Sequence, residues 1–191
     1  MDRHWLLTWT CYGTWLAGSR RGFVSHVKDE QGQWVIHNVP GTPYDADMPA
    51  LEQHVRSRMK GPPVRLDATA AGAMIAQYLE TCDIRRWELH AASVMWNHTH
   101  LAVGVPGDPD PEAILELLKS WATRALKKLR PLPPNGTCWT AKGSKRKLKD
   151  QDALQNAVIY VARKQQHPLA TYVNPKWQPL IDEYDRASRT P

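Results

Sequence analysis

Residues 87–105 read WELHAASVMWNHTHLAVGV, two strand-like runs, Trp87–Met95 and His98–Val105, split by Trp96-Asn97. A link that short leaves no length for a crossover, so the two runs must lie side by side as an antiparallel hairpin. Helical signals flank this hairpin. Upstream, Asp67 is placed to cap a helix whose apolar stripe is Ala71, Met74, Ile75, Tyr78 and Leu79, ending near Cys82. Downstream, Pro111 suits a first helical position, and Ile114, Leu118, Trp121 and Ala125 recur at helical spacing until Pro131, Pro133 and Pro134 stop the pattern. His4–Cys11 reads as a first strand, and Cys138–Thr140 and Arg146–Leu148 read as extended segments around Gly143-Ser144. A last helix is expected from about Asp150 to about Gln165, with Leu154, Val158 and Val161 inward.

The resulting order is β-α-β-β-α-β-α. It predicts an α+β protein of ferredoxin-like split β-α-β type: an antiparallel sheet with helices on one face, plus a C-terminal helix. The expected organisation is a single domain over 1–170, interrupted by an irregular insertion at about 17–66, then a tail over 171–191. In the insertion Gly, Pro and charged residues break every period, apart from a short hairpin around Trp34–His37. The tail carries Trp177, Leu180 and Ile181, enough to dock.

The 191 residues are 42% hydrophobic, enough for a sizeable core, and no apolar run approaches the roughly 18 residues of a membrane span. No secretory leader is visible at the N-terminus. Three well-separated cysteines, Cys11, Cys82 and Cys138, give neither a disulfide framework nor a cysteine zinc site, so a cytoplasmic protein is expected. The net charge of +6 is unevenly spread. From Lys119 to Lys149 lie ten basic residues and no acidic one: Lys119, Arg124, Lys127, Lys128, Arg130, Lys142, Lys145, Arg146, Lys147 and Lys149. A one-signed block on an otherwise balanced chain fits a polyanion. A groove for nucleic acid is therefore expected from Lys119, Arg124, Lys127, Lys128, Lys142, Lys145, Arg146 and Lys147, with Trp139 and Trp96 as stacking platforms for unpaired bases and Arg20-Arg21 as a further contact.

His98 and His100 start a strand, where side chains alternate with period two, so both face one side while Thr99, Leu101 and Val103 face the other. Two imidazoles so placed can share one divalent cation and leave coordination positions for substrate oxygens. His90, in the preceding strand, is read as a packing residue.

The run Val94-Met95-Trp96-Asn97-His98-Thr99-His100-Leu101 resembles the V-M-P-N-H-x-H-L segment of the HUH-type Y1 transposases, which include IS200/IS605 transposases and REP-associated tyrosine transposases. Leu7–Leu16, Arg58–Leu66 and Gly143–Arg146 resemble further segments of that group, in the same order. Thr99 replaces a bulky hydrophobe and Trp96 a proline, neither of them a ligand. The resemblance implies a single-stranded DNA endonuclease and strand transferase acting on a hairpin-bearing strand. Its cofactor is a divalent metal, Mg2+ or Mn2+, at His98 and His100, and no other cofactor is implied. The tyrosine nucleophile, which takes a 5′-phosphate, matches Tyr160. A helical wheel sets Tyr160 about 120° from the buried stripe, at its border, where a ring can pack while its hydroxyl stays accessible.

Relatives often carry Gln or Asn four residues after the tyrosine as a third ligand, but here that residue is Lys164. Either Gln165, which points toward the sheet, completes the site, or two histidines suffice and Lys164 assists the phenol or grips a phosphate. The first arrangement is preferred. Two other functions fit the same residues: a non-catalytic nucleic-acid-binding descendant, and a nuclease in which metal-activated water attacks.

Overall fold

A computed structural model describes residues 1–19, 25–28, 31–39, 42–43, 45–134 and 136–189. The elements are β1 (Arg3–Thr10), β2 (Ser25–Lys28), β3 (Trp34–His37), α1 (Pro49–Ser57), α2 (Ala68–Arg85), β4 (Glu88–Val94), β5 (His98–Val105), α3 (Pro111–Leu129), β6 (Ser144–Leu148), α4 (Gln151–Arg163), β7 (Ala170–Val173) and α5 (Gln178–Ala187). The main sheet runs β6-β1-β5-β4-β7, with every neighbouring pair antiparallel. Its first four strands with α2 and α3 are the expected split β-α-β. The helix starts follow from local chemistry: Asp67, Asp110 and Asp150 accept bonds from the first-turn amides of α2, α3 and α4.

Period two divides the sheet into two faces with different partners. Trp5, Leu7, Trp9, Leu101, Val103 and Val105 pack on α2 and α3, through Met74 and Tyr78 on one helix and Ile114, Leu115 and Leu118 on the other. Trp9 anchors this layer, meeting the rings of Tyr78 and Trp139 edge-on with centroids 5.9 and 6.3 Å away. The other face buries Ala91, Ala102 and Leu148 under Leu154, Ala157, Val158 and Val161 of α4, with Trp177 and Ile181 beside them. The expected one-sided pair of helices is thus α2 and α3, and α4 covers the reverse.

Four expectations are corrected here. The insertion is not wholly irregular. Besides the expected hairpin, now β2 with β3, it holds α1. The segment read as a tail contributes β7, which pairs with β4 and covers what would otherwise be an open edge. Trp177 and Ile181 dock as expected. Helix α4 stops at Arg163, a little short of the expected Gln165, with Lys164 as its C-cap and the Gln165 side chain donating to the Tyr160 carbonyl. The extended segment at Cys138–Thr140 is reduced to a single bridge between Cys11 and Trp139. The three cysteines are buried and free, and no helix among the described residues is long and apolar enough to cross a membrane.

At the end of the sheet remote from His98, the β4–β5 register slips between Leu89 and Ala91. The extra residue is His90, which the bulge turns onto the α4 face beside His4. The Trp177 indole, which can only donate, gives its Nε1–H to His90 Nδ1 at 3.2 Å. His90 therefore carries its proton on Nε2 and donates to His4 Nδ1 at 2.9 Å. Gly104 lies beneath, where a Cβ would come within 2.9 Å of both imidazoles. The packing reading of His90 holds, with a polar network in place of an apolar contact.

Burial lowers His90 to about 4, with Glu88 opposing the shift and Lys176, His4 and the N-terminus adding to it. Because the folded value lies below the ordinary 6.5, the unfolded chain binds more protons between the two, and stability falls as pH drops through that window. Thermal melts of the wild type at neutral pH and near pH 4 should differ by on the order of 2–3 kcal/mol from this group. His90→Gln, which still accepts from Trp177 and donates to His4, should lose less stability on acidification. An equal loss in both proteins would remove His90 as the source.

Candidate active site

The strands first settle where the histidines go. Strand β5 is held between β1 and β4, with Thr10 opposite His98 and with Thr8 and Ser93 flanking His100. Since Leu101 and Val103 must enter the α2–α3 layer, His98 and His100 are committed to the α4 face. The Trp96-Asn97 link is braced from three sides. Cys11 N–H donates to the Asn97 carbonyl at 2.7 Å, Leu66 N–H to the Trp96 carbonyl at 2.8 Å, and Met95 N–H to the His98 carbonyl at 2.9 Å.

Each imidazole is also fixed in rotation. The Asn97 Oδ1 lies 2.6 Å from His98 Nδ1 and accepts its proton, and the Thr8 hydroxyl lies 2.6 Å from His100 Nδ1. This is the arrangement of outer hydrogen bonds that orients ligating histidines, and it leaves both Nε2 atoms for another partner. Burial lowers both histidines below the ordinary imidazole value, His100 to about 4 with the neighbouring His98 adding to the effect. Both are neutral at neutral pH, the form that can ligate a cation.

Tyr160 reaches the pair from α4. Ala91 and Ala102, paired across β4 and β5 beneath the helix, are small enough to let it approach closely. The Tyr160 ring meets His100 edge-on at 5.3 Å, and His100 meets His98 edge-on at 4.9 Å. Tyr160 is 38% exposed, so its ring packs while solvent and substrate keep access to it. The structure therefore brings together His98, His100 and Tyr160.

It does not bring the expected third ligand with them. Gln165 Nε2 donates to the Tyr160 carbonyl at 2.9 Å, and the Lys164 ammonium lies 5.8 Å from the Tyr184 ring, toward α5. Among the described residues no three His, Cys, Asp or Glu side chains are grouped to hold a metal. The donor set that fits a cation is the histidine pair, which is neutral, oriented and supported. Thr8 and Asn97, which orient it, were not singled out from the sequence. Asn97 precedes His98 and could have been noticed there, whereas Thr8 is linked to His100 only through strand pairing.

The basic block divides. Lys119 is 4% exposed and donates to Glu116 and to the Thr140 and Ala141 carbonyls, so it ties α3 to the loop after it and is removed from the groove. Trp139 is also corrected. Its indole is buried and donates to the Lys119 carbonyl and the Thr123 hydroxyl, which makes it core and not a platform. Lys145 pairs with Glu112 on the α3 side. Arg124, stacked on Trp121 at 4.2 Å, and the exposed Lys127 and Lys128 also lie on α3, across the sheet from Tyr160. Alternation along β6 sets Lys147 on that side as well and Arg146 on the histidine side, opposite Leu6. Lys142 is exposed in the loop before β6. Arg20 and Arg21 lie outside the described residues.

No protein-family model matches the chain, and no curated protein matches it. Among solved structures, that of a REP-associated tyrosine transposase bound to a REP hairpin is similar, with 14% identity and a TM-score of 0.43. The match covers 83% of this chain and 64% of that one, so this chain spans a little under two thirds of the solved protein. It is a distant likeness in fold.

The division of the basic block can be measured. Lys119→Ala should cost about 1–3 kcal/mol in chemical denaturation, because it leaves two carbonyls without their donor. It should leave the salt dependence of single-stranded DNA binding unchanged. Arg146→Ala should lower that slope by about one unit at little cost in stability. A shallower slope in the Lys119 variant would return that residue to the groove.

Proposed function

We propose that this protein is a metal-dependent single-stranded DNA endonuclease and strand transferase in which Tyr160 attacks a phosphate seated beside His98 and His100. The observation that carries the reading is the edge-on contact of Tyr160 with His100, 5.3 Å between ring centroids, made by residues from separate elements. His100 lies in the run that carries the resemblance to HUH-type Y1 transposases, and Tyr160 is the position that the resemblance matches to their nucleophile. The proposed substrate is a DNA strand bearing a hairpin.

His98 and His100 would hold the cation, Mg2+ or Mn2+, through their Nε2 atoms, with Asn97 and Thr8 fixing the ring orientations. Bound there, it would supply Lewis-acid polarisation of the phosphate. In this reading the Tyr160 oxygen bonds to phosphorus as the P–O3′ bond breaks, the phenolic proton is balanced by the one the departing O3′ takes up, and a 5′-phosphotyrosine and a free 3′-hydroxyl result. A second 3′-hydroxyl can reverse the step, which joins strands without ATP. Arg146, on the same face as the histidines, would hold the strand.

A second reading, a non-catalytic nucleic-acid binder, is favoured by the third-ligand position: Lys164 turns toward Tyr184 and Gln165 caps α4. One gel separates the two. Incubation of the full chain with a labelled single-stranded hairpin and manganese should give a covalent protein–DNA adduct, absent in Tyr160→Phe. Thr8→Val should slow adduct formation roughly 10- to 100-fold by releasing His100. Cleavage without an adduct would mean that water attacks, and binding without cleavage would leave only the second reading.

A further inference from the structure

A cleft of about 330 Å³ opens next to the Trp96-Asn97 turn, lined among others by Thr14, Leu16, Ser19, Arg56, Arg65 and Trp96. That volume lies at the lower end of the range of small-ligand sites. Its architecture is fixed by the insertion and by the segment before α2. Gly18 packs against the start of α1, where a Cβ would stand 2.4 Å from the Met48 carbonyl oxygen, and this sets Leu16 and Ser19 into the wall. Thr14 Oγ1 donates to the Cys11 carbonyl at 2.8 Å and lies 3.3 Å from the Asn97 carbonyl, joining the wall to the turn that carries His98.

The chemistry of the lining is specific. The Arg65 guanidinium lies over the Trp96 ring, 5.3 Å from its centroid, and the Arg65 carbonyl is held by Arg130 at 2.9 Å. A guanidinium plane on an indole is a surface on which nucleobases stack. Arg56, 59% exposed at the side chain and paired with Glu52, places positive charge at the rim.

We infer that this cleft seats one unpaired nucleobase of the bound strand, stacked against the Arg65–Trp96 pair, next to the phosphate at His98 and His100. The inference rests on the DNA-binding part of the proposed function and adds a base-reading subsite to it. Because Trp96 is two residues from His98, the seated base belongs to a nucleotide close to the scissile phosphate. The cleft would choose among bases at that position, while Arg146, on the histidine side of the sheet, would contact the backbone without regard to sequence.

The test uses photocross-linking, in the full chain carrying Tyr160→Phe so that no cleavage adduct interferes. An oligothymidine strand containing 5-iododeoxyuridine is bound, irradiated and mapped by peptide mass. The adduct is expected on Trp96, and Arg65→Ala and Arg65→Gln should each lower its yield roughly ten-fold. Adducts that map only to other residues, or a Trp96 yield unchanged in both Arg65 variants, would overturn the subsite. A Trp96 adduct in a protein whose Tyr160 form never cuts DNA supports the cleft and overturns the endonuclease reading. Cutting with no Trp96 adduct does the reverse.

Discussion

The molecule is organised by the register of β5 between β1 and β4. Strand side chains alternate, so one pairing choice decides the destination of every residue on the strand. Leu101, Val103 and Val105 are drawn into the α2–α3 layer by burial, and His98 and His100 are thereby left on the face that α4 covers. The same register brings Thr8 opposite His100 and supplies the hydroxyl that holds its ring. A slip by one residue would bury the imidazoles among Trp9 and Tyr78 and turn the leucine and valines out of the α2–α3 layer onto the α4 face.

The two ends of the α4 face then receive different treatment. In the middle, Ala91 and Ala102 are buried under α4, and the same helix carries Tyr160 to His100. At the far end, the His90 bulge builds a hydrogen-bonded chain from Trp177 through His90 to His4, with Gly104 making room. This chain ties the segment after β7 to the first strand, so the C-terminal residues are part of the sheet's support. At the near end the bonds go instead to the turn, where the segments around Cys11 and Leu66 fix Trp96 and Asn97. The functional end is thus built from loops braced on strands, and the cleft beside Trp96 lies among those braces.

Charge is distributed by the same sheet. A run of cations that is continuous along the chain is separated once the strands alternate and the helices choose faces. Arg146 lies with the histidines, Lys145 and Lys147 lie on the reverse with α3, and Lys119 is consumed in tying α3 to its following loop. Net charge along a sequence measures attraction to a polyanion; the path of the strand across the surface depends on which of those cations share a face.

Much of this was determined by the sequence itself. The short Trp96-Asn97 link dictated a hairpin, the spacing of apolar residues dictated two helices, with Asp67 marking the start of the first and Pro111 that of the second, and H-x-H on a strand dictated that both imidazoles share a side. These are local constraints of period and chain length, and they survive any tertiary arrangement. What only the tertiary structure decided are the pairings between distant segments: Thr8 with His100, β7 with β4, Trp139 in the core, and Lys119 buried. Nothing local marks them, because each depends on which element packs against which. Gln165 is the clearest case. Its position one residue past Lys164 left its role open, and only the end of α4 shows its side-chain amide donating to the Tyr160 carbonyl.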